Sequence, residues 1–155
     1  IVNDKPMIGP YGVNEEGSGD MYYKGANLIH TIRTIVNNDT LFREMLREMN
    51  QTFYHQIVTT QQIENFMSQK LQLDLSLIFD QYLRQTNPPT LSIKEKGNRV
   101  FYRWEKCVPN FEMLLVTDKG QFNVTTDWVE LPAEIELSNN QYYFKNVQKK
   151  NKKKR

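Results

Sequence analysis

The sequence predicts an α+β protein: an N-terminal antiparallel bundle of about four helices, then a small antiparallel β-sandwich. Three observations carry this. Between Met21 and Leu83 apolar residues recur at the i, i+4, i+7 spacing of helical stripes. From Leu91 onward the apolar period falls to two, as in half-buried strands. Between the two regimes stands Asn87-Pro88-Pro89-Thr90, where consecutive prolines stop a helix and force extended backbone.

Residues 1–19 carry Pro6, Gly9, Pro10, Gly12, Gly17 and Gly19, too many breakers for regular structure. They are expected to form an irregular approach segment packed against something N-terminal to it. The first helix follows, with Met21, Gly25, Leu28, Ile29, Ile32, Ile35 and Val36 on one stripe of about four turns. Ser18 or Asp20 is expected to cap it, since a short side-chain oxygen there accepts from the first unpaired backbone N–H groups. Gly25 inside this helix costs about 1 kcal/mol relative to alanine. A neighbour too close for a Cβ is the expected reason, and with Tyr22, Tyr23 and Lys24 alongside, the first turn is a candidate site.

Asn37-Asn38-Asp39-Thr40 reads as a turn and cap, and Leu41, Phe42, Met45, Leu46 and Met49 define a second helix ending near Phe53 or Tyr54. Thr59 and Gln62 have capping-box spacing, with Val58 and Ile63 placed as a hydrophobic staple. Ile63, Phe66, Met67 and Leu71 then give the third helix its face, and Leu75, Ile78, Phe79, Tyr82 and Leu83 the fourth. Leu91 and Ile93 share one strand face and Val100, Tyr102 and Trp104 another, across a charged turn ending in Gly97-Asn98. Further strands are expected at 112–117, 121–126, 128–131, 135–137 and 142–147, about seven in all. The organisation that results is an approach segment (1–19), a helical part (20–87), a sandwich (88–148) and a basic tail (149–155).

Composition removes several classes of function. No apolar run approaches the ~18 residues needed to span a bilayer. The single cysteine, Cys107, rules out an internal disulfide and reads as a strand residue without chemistry. The net charge of +2 hides a division: Lys149, Lys150, Lys152, Lys153, Lys154 and Arg155 contribute +6 and leave residues 1–148 at −4. No aromatic residue interrupts that run, so it reads as a solvated tail, and no nucleic-acid partner is expected. A His-Glu-x-x-His zinc site needs two imidazoles four residues apart on one helix, the glutamate after the first of them as base, and a glutamate farther along as third ligand. This chain has only His30 and His55, on different predicted segments and neither followed by Glu, so no metal site of its own is expected.

Tyr22-Tyr23-Lys24-Gly25-Ala26, followed by Leu28, His30 and Arg33, resembles the Tyr-x-Lys-Gly-Ala signature of the aminopeptidase N family of gluzincin zinc metallopeptidases. The run from Phe79 to Leu91 is similar to the family's Phe-x-x-Trp-Leu…Gly-x-Pro-x-Leu pattern, with Tyr82 where tryptophan is usual and Asn87 where glycine is usual. Leu41-Phe42 through Leu46 and Thr59-Thr60 fit between them in order and spacing, so the resemblance covers roughly residues 17–91.

The resemblance implies a role for Tyr22: its hydroxyl donates a hydrogen bond to the oxyanion formed when the scissile carbonyl is attacked. Gly25 and Lys24 would support that turn, Lys24 through packing or an ion pair. It also implies one zinc ion in a longer parent protein, bound by residues upstream of Ile1, since the family's ligands precede the tyrosine signature. On this reading the chain is the post-zinc portion of an aminopeptidase whose partners are peptide substrates and the remainder of the catalytic domain. Family habit leans towards an extracytoplasmic, bacterial-envelope enzyme. The alternative is a non-catalytic protein-interaction module of the same fold.

Overall fold

The computed structural model describes residues 1–137 and the backbone of 146–150. Helix and sheet are both present, in the order expected. Four helical segments come first: α1 (Asp20–Val36), α2 (Asp39–Thr52), α3 (Thr60–Leu71) and α4 (Ser76–Phe79). The last runs without a break into a π-helical turn, Asp80–Arg84. The strands are β1 (Thr90–Lys96), β2 (Arg99–Glu105), β3 (Met113–Thr117), β4 (Gly120–Val124), β5 (Val129–Leu131) and β6 (Asn146–Lys150).

Local chemistry sets several of these boundaries. The Asn38 side chain accepts the Leu41 N–H at 3.0 Å and starts α2. At α3 the Thr59 Oγ1 accepts the Gln62 N–H at 3.3 Å while Gln62 Oε1 accepts the Thr59 N–H at 2.8 Å, a closed capping box. Thr59→Ala is accordingly expected to cost about 1 kcal/mol, read as a lower urea midpoint with an unchanged m-value.

The start of α1 departs from expectation. Gly19 occupies the cap position and no side chain caps it in the usual geometry. Ser18 Oγ instead accepts the Asp20 N–H at 3.2 Å. The Asp20 carboxylate turns back to accept the N–H groups of Val2 (2.8 Å) and Asn3 (2.6 Å). Those bonds, the Val2 one foremost, hold its carboxyl below the ordinary aspartate range. The approach segment therefore has partners downstream of it, within this chain. Met7 is buried, and the N–H groups of Met7 and Ile8 both donate to the Leu83 carbonyl, at 3.0 and 3.2 Å. That carbonyl lies in the π-helical turn, where the last helical acceptors need partners from elsewhere.

Strand pairing follows the predicted faces. Leu91 stands opposite Trp104 and Ile93 opposite Tyr102, all four buried, and Gly97 takes the positive φ (+62°) that a two-residue hairpin turn demands. One sheet has the order β5-β2-β1-β6, and β3 and β4 form a second. The edge strand β6 of the four-stranded sheet runs parallel to β1, whereas antiparallel pairing was expected throughout. Residues 135–137 contribute a single bridge, Leu137 to Thr117, in place of a strand. Of the strand expected at 142–147, residues 142–145 lie outside the described residues.

Trp104 fastens the two sheets together. It is 1% exposed, its indole N–H donates to the Met113 carbonyl (3.2 Å), its backbone N–H donates to Thr125 (2.8 Å), and Phe111 meets it edge-on. Helical residues such as Leu28, Ile32, Met45 and Tyr82 and strand residues such as Leu91, Trp104 and Leu115 belong to one hydrophobic cluster. Among the described residues no helix is long and apolar enough to cross a membrane.

Candidate functional site

The first turn of α1 is held from two sides. From outside, the Asp20 carboxylate clasps residues 2 and 3, and the Ser18 hydroxyl donates to Asp4 at 3.3 Å. From below, Lys24 reaches the far end of the helical part, where its Nζ donates to the Gln85 carbonyl at 3.0 Å. Lys24 is 0% exposed: its stem is packed, and its amine bonds a backbone carbonyl in place of a carboxylate. Its place was legible in the spacing, since it lies four residues before Leu28 and eight before Ile32 on the buried stripe.

Burial pushes the Lys24 amine below its ordinary 10.5, and the Asp20 charge opposes this in part. A base with a lowered folded value weakens the fold while protonated. Between that lowered value and 10.5 the unfolded chain binds more protons than the folded one, so stability rises with pH across that window. Urea midpoints measured from pH 7 upward should climb more steeply for the native chain than for Lys24→Met. Equal slopes would remove Lys24 as the cause.

Tyr22 and Tyr23 are 70% and 73% exposed. Tyr22 precedes Lys24 by two residues, roughly 200° round the helix, so its ring faces solvent while the lysine faces the core. No described residue makes a hydrogen bond to its hydroxyl. Met21 and Ile29 are exposed beside it, although both were expected on the buried stripe. The reason is that the stripe is displaced round the helix: Asp20, Lys24, Leu28, Thr31, Ile32 and Ile35 are the residues it buries. Gly25 has no crowding neighbour. A Cβ placed there meets nothing within 4 Å, so the close approach expected at this glycine does not occur among the described residues.

Sequence reasoning missed the joint beneath this turn. Gln81, buried in the π-helical turn, donates through Nε2 to the Asn87 carbonyl, and its Oε1 accepts the Val108 N–H at 2.7 Å. One amide thereby ties the helical part to the linker and to the β2–β3 loop. Arg84 grips Glu64 of α3 with both terminal nitrogens (2.7 and 3.2 Å) and Asp80 with one (3.1 Å). The Glu64 carboxylate first, with the Asp80 charge in support, raises the guanidinium above its usual value. A cleft of about 420 Å³ opens at this joint, lined by residues including Gln81, Lys106 and Cys107. Burial, with help from Glu105, pushes the Cys107 thiol up to about 11, so it stays protonated and a poor nucleophile near neutrality.

The residues present do not fit a zinc site. His30 is exposed on α1, His55 follows α2 in a left-handed conformation (φ 52°) against Tyr54, and no group of three His, Cys, Asp or Glu able to hold a metal occurs among the described residues. Comparison with protein-family models and with curated proteins finds no match for this chain.

Proposed function

We propose that this chain is the post-zinc portion of an aminopeptidase-N-like metallopeptidase, with a helical bundle carrying the oxyanion tyrosine, Tyr22, and a β-sandwich behind it. The observation that carries the reading is the presentation of Tyr22: an exposed ring on a helical turn tied down by Asp20 and Lys24. A donor that must meet a charge appearing only during reaction works best when it is fixed beforehand and owes no bond to its own chain. The Tyr22-to-Ala26 motif and the Phe79-to-Leu91 run support the same reading by resemblance.

In this proposal the zinc ion and its ligands lie N-terminal to Ile1 in the parent, and peptides with free N-termini are the substrates. The chain by itself contributes a wall of the cleft and no hydrolysis. A protein-interaction module of the same architecture is the second reading, favoured by the exposed apolar group of Met21, Tyr22 and Ile29 on α1.

The test begins with the coding sequence upstream of Ile1. His-Glu-x-x-His with a later Glu there, together with aminoacyl-reporter hydrolysis by the full-length product, is the expected result. Absence of that motif decides for the interaction module. The 155-residue chain on its own should bind no stoichiometric zinc, and one tightly held zinc per chain by metal analysis contradicts the proposed division of the site.

A further inference from the structure

The basic run at 149–155 has no aromatic residue within it, but the sheet that Lys149 and Lys150 join through β6 carries two. On β2 the residues opposite in facing to Tyr102 and Trp104 are Arg99, Phe101 and Arg103. Register places Lys94 across from Phe101 and Lys96 across from Arg99 on the same face of β1. Trp128 joins them from the residue just before β5. The Lys94 amine lies 4.4 Å from the Trp128 ring and 5.3 Å from the Phe101 ring. The guanidinium of Arg103 lies 4.4 Å from Trp128 and that of Arg99 5.0 Å from Phe101. At Thr90 and Ser92 this face is covered; from Lys94 onward it opens to solvent. The edge strand β6 sets Lys150 beside Lys94 in register, and the sequence continues through Lys152, Lys153, Lys154 and Arg155.

We propose that this face of the β5-β2-β1-β6 sheet binds single-stranded nucleic acid, with Phe101 and Trp128 as stacking platforms and Lys94, Lys96, Arg99 and Arg103 as phosphate contacts. Two carboxylates share the face: Glu130 pairs with Arg99 and Glu105 with Arg103. No described carboxylate forms an ion pair with Lys94 or Lys96, so the face keeps an excess of two positive charges. A polyanion is the complementary partner. The rings select its kind. An exposed cation–π contact is weaker than the stacking of a base on an aromatic ring, so an incoming base displaces the cation and the cation moves to the adjoining phosphate. Only unpaired bases can reach rings lying in a sheet, since bases paired in a duplex are already stacked on their neighbours. A membrane surface fits less well, because the rings lie beneath cations and do not project as an apolar wedge.

Trp128 makes the site observable. The other tryptophan, Trp104, is buried, so quenching by a bound base reports on Trp128. The 155-residue chain is titrated with an oligo(dT) of about 15 nucleotides, with a duplex of equal length and with phosphatidylcholine–phosphatidylserine vesicles. Binding of oligo(dT) with tryptophan quenching is expected. About four phosphate contacts from the sheet alone imply a loss of affinity of at least roughly fifty-fold between about 50 and 200 mM salt, to which the tail adds. Lys94→Gln and Phe101→Ala should each weaken oligo(dT) binding at least several-fold with an unchanged far-ultraviolet spectrum. Should Phe101→Ala unfold the sheet, Lys94→Gln carries the same test. Conversion of Lys152, Lys153, Lys154 and Arg155 to Gln should reduce the salt dependence and retain the quenching. Three results overturn the proposal: no binding at low salt, tighter binding of duplex or vesicles than of oligo(dT), or binding abolished by the tail variant and untouched by Lys94→Gln.

Discussion

Trp104→Ala is expected to destabilise the chain by about 3–5 kcal/mol, the largest effect any single core truncation here should have. Three losses combine at this position. The indole is 1% exposed, so its whole apolar surface returns to water and leaves a cavity. Its edge-on partner Phe111 loses the ring it packs against, and the Met113 carbonyl, 3.2 Å from the indole nitrogen, loses a donor in a buried setting. Domains of this size have stabilities of about 5–15 kcal/mol, so the variant should sit near its unfolding threshold at ordinary temperature. Trp104→Phe separates the contributions: the ring is largely kept and the N–H is lost, at about 1–3 kcal/mol. Urea unfolding followed by far-ultraviolet circular dichroism measures both. A loss in Trp104→Ala below about 1 kcal/mol would show that the two sheets do not depend on this side chain.

The position of Trp104 on one face with Val100 and Tyr102 was readable from alternation alone. What alternation could not give was its role as the link between sheets, because the Met113 carbonyl and Phe111 are brought to it by a loop with no periodic pattern. The same limit recurs elsewhere. Thr59 with Gln62, and Asn38 before Leu41, declare themselves because capping is a contact between residues three apart. Gln81 reaches Val108, and Lys24 reaches Gln85, across 27 and 61 residues, and no local pattern announces such a bond. Residue type can also mislead where spacing does not. Lys24 lies on the buried stripe by position although its charge left it out of the apolar pattern, whereas Met21 and Ile29 are apolar and stay exposed. Gly25 shows the converse: a helix-weakening residue suggested crowding, and the space beside it is open.

The candidate site divides in the same way. Tyr22 stood out because of the residues around it, and it is 70% exposed. The supports that hold its turn, Asp20 to residues 2 and 3 and Lys24 to Gln85, were hidden in long-range contacts. The cation–aromatic face of the sheet was hidden for another reason. Lys94 and Phe101 come from two strands and Trp128 from the residue before a third, and only the register β1 to β2 to β5 assembles them.

Under the proposed function, Tyr22→Phe in the full-length enzyme should lower kcat by about 10²-fold or more while KM stays close to the native value. The split follows from when the hydroxyl acts. A substrate carbonyl carries little charge and gains little from the donor, whereas the oxyanion that follows carries nearly a full charge and gains much, so the loss falls on the transition state. Phenylalanine keeps the ring and removes only the donor. Because the ring is 70% exposed, the exchange should leave stability within about 0.5 kcal/mol of the native protein, so lost turnover cannot be assigned to unfolding. Tyr23→Phe supplies the matched control, since that ring is equally exposed one position on and points roughly 100° away round the helix. Lys24→Met tests the support beneath: it should alter the position of the turn and reduce kcat through Tyr22, with little further effect in a Tyr22→Phe background. Steady-state kinetics on the four variants, with zinc content measured on each, distinguishes these outcomes. Near-native turnover in Tyr22→Phe at full zinc content would take the tyrosine out of the reaction and leave the α1 surface to the interaction-module reading.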